Sequence, residues 1–144
     1  MPESSQKNND LRVQLIKYAG FLLSRRPYFS AQIRKKLTEK ANRLDESDQS
    51  GLIEVIIGEL ESAQYLDDTY LLAGYIRQKL NKLQGPKIIF AKLRLLGLKS
   101  DQITKALKDQ DLAEPIEQAR QKLATKYSKL DSFQVKAKLY QRGF

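Results

Sequence analysis

The residues of this sequence with the clearest capacity for chemistry are its lysines and arginines. The 144-residue chain carries 26 of them against 17 aspartates and glutamates, so its formal net charge is +9. Their spacing is uneven, because residues 77–99 contain seven basic residues and no acid, whereas residues 45–76 contain eight acidic residues and no lysine or arginine. Such basic side chains bind phosphate groups or acidic protein surfaces through Coulomb attraction and counterion release.

Similar basic concentrations occur in residues 25–43 and 120–142. Each falls on what we interpret as the second helix of a repeated unit, so we predict a positive stripe that contacts a partner or DNA. Simple solvated helix faces are the alternative, because lysine and arginine are good helix formers. The predicted stripe consists of Arg25, Arg26, Arg34, Lys35, Arg77, Lys79, Lys82, Lys87, Lys92, Arg94, Lys136, Lys138 and Arg142.

Catalytic chemistry has little support, because the chain contains no cysteine, histidine or tryptophan. This excludes disulfides, zinc sites built from cysteine and histidine, thiol nucleophiles and histidine acid/base catalysis. We interpret Asp67 and Asp68 as caps at a helix start, where carboxylates accept hydrogen bonds from free N–H groups. The turn Gly85-Pro86-Lys87 lacks the pattern of a phosphate-binding loop and offers at most a modest anion site. We therefore expect no catalytic residue, no metal and no cofactor.

Aromatic side chains next to basic ones occur at Tyr28 and Phe29, which follow Arg25 and Arg26. They could stack on nucleic-acid bases. Aromatic residues after a loop proline more commonly fill a junction between helices, and we favour that interpretation.

Membrane and export signals are not evident in the sequence. No apolar run approaches the roughly 18–20 residues that cross a bilayer, and the first ten residues lack the apolar centre of a signal peptide. We expect a cytoplasmic protein without membrane contact.

The elements that must position the basic residues are helices, because apolar residues from Leu11 onward recur at helical spacing. The predicted fold class is all-α. We predict Ser30, Ser100-Asp101 and Ser132 as helix N-caps, and Pro115 as a first-turn residue.

The helices recur, with the pairs Ile33/Leu37, Ile89/Leu93 and Val135/Leu139 in equivalent inward positions. Gly97-Leu98 and Gly143-Phe144 both predict a left-handed helix stop of the Schellman type. We predict an elongated, curved tandem array: a disordered polar tail at residues 1–10, three-helix units at 11–66 and 67–110, and an incomplete unit at 111–144 that lacks its third helix. By this logic we expect the sequence to be a shortened form of a longer protein.

The repeat junctions also resemble a known family. The stretch from Glu61 to Arg77, ESAQYLDDTYLLAGYIR, followed by GPKIIFAKLRLLGL from Gly85 to Leu98, is similar to the central signature of the RecX family. Flanking segments agree, and the resemblance spans about Leu15 to Phe144. It implies tandem three-helix units and a modulator of the RecA recombinase that lies in the groove of the RecA–DNA filament and limits its assembly, ATPase and co-protease activity.

The expected partners are therefore RecA and its filament on DNA, bound by a monomer. A direct, largely sequence-nonspecific DNA-binding protein, on single or double strands, is the alternative. An enzymatic role has no nucleophile and base to support it.

Overall fold

The computed structural model describes residues 2–44 and 49–144, and every regular element in these ranges is an α-helix. The predicted all-α class is therefore confirmed. Three of the acidic residues counted above, Asp45, Glu46 and Asp48, lie outside the described residues. The helices are α1 (Pro2–Arg25), α2 (Ser30–Arg43), α3 (Ser50–Ser62), α4 (Asp68–Asn81), α5 (Pro86–Leu95), α6 (Ser100–Leu107), α7 (Gln110–Lys126) and α8 (Ser132–Gln141).

The chain divides into two compact units, Met1–Leu71 and Leu72–Phe144, called here the N-terminal and the C-terminal unit. The predicted second and third repeats fall almost entirely within the C-terminal unit. The division into three repeats and the curved array stay predictions.

The first helix extends further than the sequence predicts. α1 begins at Pro2, whereas the polar composition predicts a tail without regular structure up to residue 10. Proline is tolerated in the first turn of a helix, where its missing N–H would have no intrahelical partner. Polar residues then propagate the helix at little cost once the apolar positions from Leu11 onward are packed.

The core of the N-terminal unit lies where three helices meet. α2 packs against α1 and α3, and α1 also contacts α3. The enclosed side chains are those at helical spacing, among them Leu15, Ile33, Leu37 and Ile56, each fully buried. Each contributes about 1.5–3 kcal/mol by leaving water. The apolar pattern that predicts these helices therefore also predicts their inward faces.

The start of α2 is fixed by a carboxylate from a distant part of the chain. The N–H of Ser30 donates to Asp68 Oδ1 at 2.8 Å. The Ser30 hydroxyl lies 3.2 Å from Asp68 Oδ1 and from Glu61 Oε1. The N-cap position is Phe29, whose N–H donates to Gln32 Oε1 at 2.9 Å. The predicted N-cap role of Ser30 is wrong by one residue, because its own N–H is the group that is capped.

The acidic pair Asp67 and Asp68, at the start of α4, caps two helices. Asp67 Oδ1 accepts a hydrogen bond from the Tyr70 N–H at 3.2 Å, which caps α4. Asp68 caps α2, as described above. The capping interpretation of the pair is confirmed, although the sequence predicts only the cap on α4.

Two further predicted caps are displaced by one residue. α6 begins at Ser100, and its N-cap Lys99 makes no side-chain capping bond. α8 begins at Ser132 after the N-cap Asp131, whose carboxylate accepts from the Gln134 N–H at 2.8 Å. A charged carboxylate is a stronger acceptor than a hydroxyl, which accounts for Asp131 as the cap.

The position of Pro115 also differs from the prediction. α7 begins at Gln110, after the N-cap Asp109 accepts a hydrogen bond from the Asp111 N–H at 2.9 Å. Pro115 therefore lies inside α7 and not in its first turn. The carbonyl of Asp111 consequently lacks its ordinary helical donor, because proline has no N–H.

Both predicted glycine stops are confirmed. Gly97 and Gly143 have positive φ angles of 96° and 89°. The N–H after each glycine returns to a carbonyl of the preceding helix, that of Leu93 at 3.2 Å and that of Leu139 at 2.9 Å. These bonds are the defining bonds of the Schellman motif.

Two helices end in the same way without glycine. Gln64, with φ 64°, follows α3, and Leu83, with φ 59°, follows α4. The next N–H donates to Leu60 O at 2.9 Å in the first case and to Lys79 O at 3.0 Å in the second. The sequence does not reveal these stops, because left-handed geometry is signalled mainly by glycine.

The C-terminal unit contains α5 and α8, which the predicted repeat places in equivalent positions and which are each ten residues long. α6 packs against α5, and α7 packs against α8. Ile89 and Leu93 of α5 are fully buried, as predicted, and Leu139 of α8 is buried as well. Val135, however, is only half-buried, so its predicted equivalence to Ile89 in burial is wrong.

Candidate partner-binding surface

Three lysines of the C-terminal unit form a group of neighbouring positive charges. Lys79 lies in the last turn of α4, Lys82 directly follows that helix, and Lys92 lies on α5. The pKa of Lys79 is lowered, first by desolvation and then by the positive charges of Lys82 and Lys92. We call these three residues the lysine cluster.

The lysine cluster lacks ion pairs with carboxylates among the described residues, although the Lys79 ammonium lies 5.2 Å from the centre of the Tyr75 ring. Within residues 2–44 and 49–144, the ion pairs involve other cations, Arg12, Arg34 and Arg120. The Lys92 ammonium donates to the neutral Gln84 Oε1 at 2.7 Å. The positive charges of Lys82 and Lys92 act against that of Lys79, and an anionic partner would relieve this repulsion.

The left-handed stop at Leu83 positions the cluster. The stop ends α4 abruptly and allows α5 to begin at Pro86, directly after the N-cap Gly85. The two helices thereby bring Lys92 near Lys79 and Lys82, although Lys92 lies ten residues or more further along the chain.

Arg142 has a structural role that the sequence does not reveal. Its guanidinium donates to the carbonyl of Leu83 at 3.0 Å and to that of Lys82 at 2.8 Å. The adjacent backbone is also engaged, because the N–H of Gly85 donates to Arg142 O at 2.6 Å and the N–H of Lys87 donates to Gly143 O at 3.1 Å. Arg142 therefore holds the end of α8 against the turn between α4 and α5.

The same contacts correct the predicted anion site at Gly85-Pro86-Lys87. An anion at a helix start needs free N–H groups. Proline has no N–H, so the turn offers the N–H groups of Gly85 and Lys87. Both already donate to carbonyl oxygens. The turn is a packing junction.

The other predicted cations of this unit have different surroundings. Arg94 donates to the Leu98 carbonyl at 2.9 Å, which stabilises the stop after α5. The Lys87 ammonium lies 4.7 Å from the centre of the Tyr140 ring. The hydrogen bond to the Leu98 carbonyl reduces the freedom of Arg94 to meet a partner.

On α8, the Lys138 ammonium lies 5.6 Å from the centre of the Tyr127 ring, and Lys136 is exposed. Arg77 on α4 lines a cavity of about 460 Å³ together with Asp111, Glu114 and Lys122. Because both acidic and basic side chains line this cavity, it favours neither an anionic nor a cationic ligand.

Some of the predicted cations of the N-terminal unit already have partners within the protein. Arg34 forms an ion pair with Glu54, with a second hydrogen bond of 3.2 Å. The hydrogen bond to Glu54 raises the pKa of Arg34, although burial acts in the opposite direction. Lys35 is exposed. Of the two, Lys35 alone is available for a partner without breaking an ion pair.

Arg25 and Arg26 contact aromatic rings at the end of α1. Their guanidinium carbons lie 4.5 Å from the Phe21 ring and 4.4 Å from the Tyr28 ring. Tyr28 and Phe29 are 8% and 2% exposed, so the interpretation that they fill a helix junction is confirmed. Stacking on bases is wrong for these two residues, because their faces are not accessible.

Other kinds of site find no support in the described part of the chain. Residues 2–44 and 49–144 include no helix with the length and apolar character needed to cross a membrane. In the same ranges, aspartate and glutamate form no group of three suited to a metal ion.

Comparison with known proteins gives a consistent result, although no family model matches the chain. Regulatory protein RecX of Streptococcus pyogenes serotype M1 is 38% identical over 77 residues, which are 53% of this chain and 30% of that protein. Regulatory protein RecX of Leuconostoc mesenteroides is 29% identical over 139 residues, 94% of this chain and 50% of that protein. The chain thus spans half or less of the length of these curated relatives.

Two solved structures are similar to this chain over nearly its whole length. A crystal structure of regulatory protein RecX has a TM-score of 0.72 and 27% identity, covering 98% of this chain and 70% of that one. A crystal structure of RecX from Lactobacillus salivarius has a TM-score of 0.69 and 25% identity. The match covers 94% of this chain and 90% of that one. The all-helical chain is thus similar in fold to both solved RecX structures. In sequence and in fold, the chain is similar to regulatory protein RecX.

Proposed function

We propose that this chain is a noncatalytic regulator that binds RecA and the RecA filament on DNA. Binding restrains filament assembly, ATP hydrolysis, strand exchange and co-protease activity. Its relatives bear the name regulatory protein RecX, which supports a regulatory role. RecA as the partner is what the resemblance to RecX implies.

The observation that carries the proposal is the lysine cluster of Lys79, Lys82 and Lys92. The pKa of Lys79 is lowered first by desolvation and then by the charges of Lys82 and Lys92. None of the three lysines forms an ion pair with a carboxylate among the described residues. Binding of acidic side chains or phosphates at the cluster would remove this repulsion. The cluster therefore favours an anionic partner such as a nucleoprotein filament.

A regulator of this kind acts by mass action. A ligand that binds one state of a partner stabilises that state by RT ln(1 + [L]/Kd), about 2.7 kcal/mol at one hundred times the Kd. Preference for one filament state, or for the free filament end, is sufficient to change assembly and ATP hydrolysis. No bond needs to be made or broken by the chain itself.

Direct, sequence-nonspecific DNA binding is the second candidate. The net charge of +9 favours it. The two candidates differ in what they require: direct binding needs only phosphates, whereas the regulator binds more tightly once RecA coats the strand.

The experiment is a titration of the chain into RecA on single-stranded DNA, with DNA-dependent ATP hydrolysis as the measurement. The test variant is Lys82→Glu/Lys92→Glu. Its matched control is Lys99→Glu/Lys105→Glu, which makes the same charge change on exposed residues near or on α6. Arg94 and Arg142 are left unchanged because they bond to backbone carbonyls.

We expect the unaltered chain to inhibit hydrolysis and the control to inhibit within about threefold of it. The test variant should need at least about tenfold more protein, since two charge reversals replace attraction with repulsion. Circular dichroism establishes that both variants keep their helicity. Undiminished inhibition by the test variant would show that the lysine cluster is not the contact surface, and no inhibition by the unaltered chain would contradict the regulatory role.

A further inference from the structure

α8 presents an aromatic face that the proposed function does not use. Phe133 and Tyr140 are 79% and 70% exposed. They are seven residues apart on one helix, so they lie on the same side, with the exposed Ala137 between them. Exposed aromatic rings on a common face are characteristic of interaction surfaces.

The repeat supplies an internal comparison for this face. α5 and α8 have equal length and both end in a Schellman stop, so Lys87, Ala91 and Arg94 of α5 correspond to Phe133, Ala137 and Tyr140 of α8. The three residues on α5 are exposed even though α6 packs against α5. A helix packed in the manner of α6 therefore leaves this face open. The repeat keeps the alanine and replaces the two charged residues with aromatic ones.

Positive charge borders the aromatic face. The Lys87 ammonium lies 4.7 Å from the centre of the Tyr140 ring, and the exposed Lys136 lies one residue before Ala137. The acidic residue nearest in sequence, Asp131, is engaged in capping α8. A complementary partner therefore combines apolar side chains with negative charge.

We propose that the face formed by Phe133, Ala137 and Tyr140, bordered by Lys87 and Lys136, docks an amphipathic helix with acidic flanks from a protein partner. The inference goes beyond the proposed function, which assigns no contact to this face.

Spacing favours a helix as the occupant. Phe133 and Tyr140 are separated by seven residues, or about 10.5 Å along the helix, which matches one heptad of a partner helix. The small Ala137 between them is where the partner helix could approach α8 most closely. Successive stacked bases lie about 3.4 Å apart along a strand, which the two rings do not match. A second copy of this chain would bring Lys87 and Lys136 against the same lysines.

The test uses fluorescence anisotropy with labelled 15-residue model peptides. One peptide carries leucines at helical spacing flanked by glutamates, and a second has lysines in place of the glutamates. The chain variants are Phe133→Ser/Tyr140→Ser and the matched control Leu95→Ser, which changes an apolar residue that is 86% exposed on α5. All three positions are exposed, so folding should persist, and circular dichroism measures it.

We expect saturable binding of the acidic peptide to the unaltered chain and to the control. The double variant should bind it at least about tenfold more weakly, because truncating aromatic anchors has large effects. The basic peptide should also bind at least about tenfold more weakly, and Lys136→Glu should reduce this difference between the peptides. The last measurement keeps the inference testable if the double variant misfolds.

Four results would overturn the inference. The first is that the acidic peptide shows no saturable binding, and the second is that the double variant binds this peptide as tightly as the unaltered chain does. The third is that the unaltered chain binds a 15-mer of thymidine more tightly than the acidic peptide and that the double variant loses this binding. The fourth is that the unaltered chain associates with itself and that the double variant does not. Because the assay contains no RecA, its outcome is independent of the proposed function. If the chain binds the acidic peptide but does not inhibit ATP hydrolysis, only the proposed function is rejected.

Discussion

Replacing Gly85 with alanine tests the junction that holds α8 against the turn between α4 and α5. An added Cβ would lie 2.5 Å from the carbonyl carbon and oxygen of Gly143 and 2.7 Å from the Phe144 nitrogen. These are backbone atoms, so the contact cannot be relieved by rotating a side chain. We expect Gly85→Ala to separate the two segments and destabilise the C-terminal unit.

The magnitude follows from what separation breaks. The hydrogen bond from Gly85 N–H to Arg142 O, 2.6 Å, and that from Lys87 N–H to Gly143 O, 3.1 Å, are both lost. Each contributes about 0.5–1.5 kcal/mol, and overpacking adds about 1–3 kcal/mol. The free energy of unfolding should therefore fall by about 2–6 kcal/mol.

Urea unfolding followed by circular dichroism measures this change. Gly74→Ala is the matched control, because Gly74 is an exposed residue inside α4 and an added Cβ there meets nothing within 4 Å. The control should raise the free energy of unfolding by about 0.5–1 kcal/mol, since alanine is the better helix former. If Gly85→Ala unfolds at the same urea concentration as the unaltered chain, the close approach of Gly143 to Gly85 is refuted.

The same urea assay checks four further substitutions at three positions. Gln64→Gly should stabilise the N-terminal unit by about 1 kcal/mol, because Gln64 has a left-handed φ of 64°, whereas Gln64→Ala should change little. Asp68→Ala should cost about 1–2 kcal/mol by removing the cap on the Ser30 N–H, and a loss below about 0.3 kcal/mol would contradict that role. Arg34→Gln should cost no more than about 1 kcal/mol, because both members of its ion pair are substantially exposed, and a larger loss would mean that the pair is more than a surface interaction.

Much of the fold could be predicted from apolar spacing and glycine. Ile33, Leu37, Ile89 and Leu93 are buried where the helical period places them. Caps were displaced by one residue, because neighbouring polar side chains compete for the same first-turn N–H groups and spacing does not decide among them. The stop at Leu83 carries no glycine, and only the tertiary structure reveals it.

The candidate surface was predicted only as a set of basic residues. Sequence cannot tell a free cation from an engaged one, because the acceptors lie far along the chain. Arg142 bonds to the carbonyl of Lys82, 60 residues away, and Arg34 pairs with Glu54, 20 residues away. The exposed rings of Phe133 and Tyr140 were missed, although comparison with the charged residues Lys87 and Arg94 at the equivalent positions of α5 could have found them.

The central claim is that the chain recognises a RecA filament through the lysine cluster, and equilibrium affinity tests it most directly. Fluorescently labelled chain is titrated with RecA-coated single-stranded DNA and with the same bare DNA, across a series of salt concentrations. We predict that the chain binds the coated strand at least about tenfold more tightly than bare DNA, and that Lys82→Glu/Lys92→Glu loses this preference. On bare DNA, the logarithm of the binding constant should fall with the logarithm of the salt concentration with a slope no steeper than about −2, the value that three phosphate contacts give on a single strand. Equal or tighter binding to bare DNA, or a coated-strand affinity that the charge reversals leave unchanged, would contradict the account.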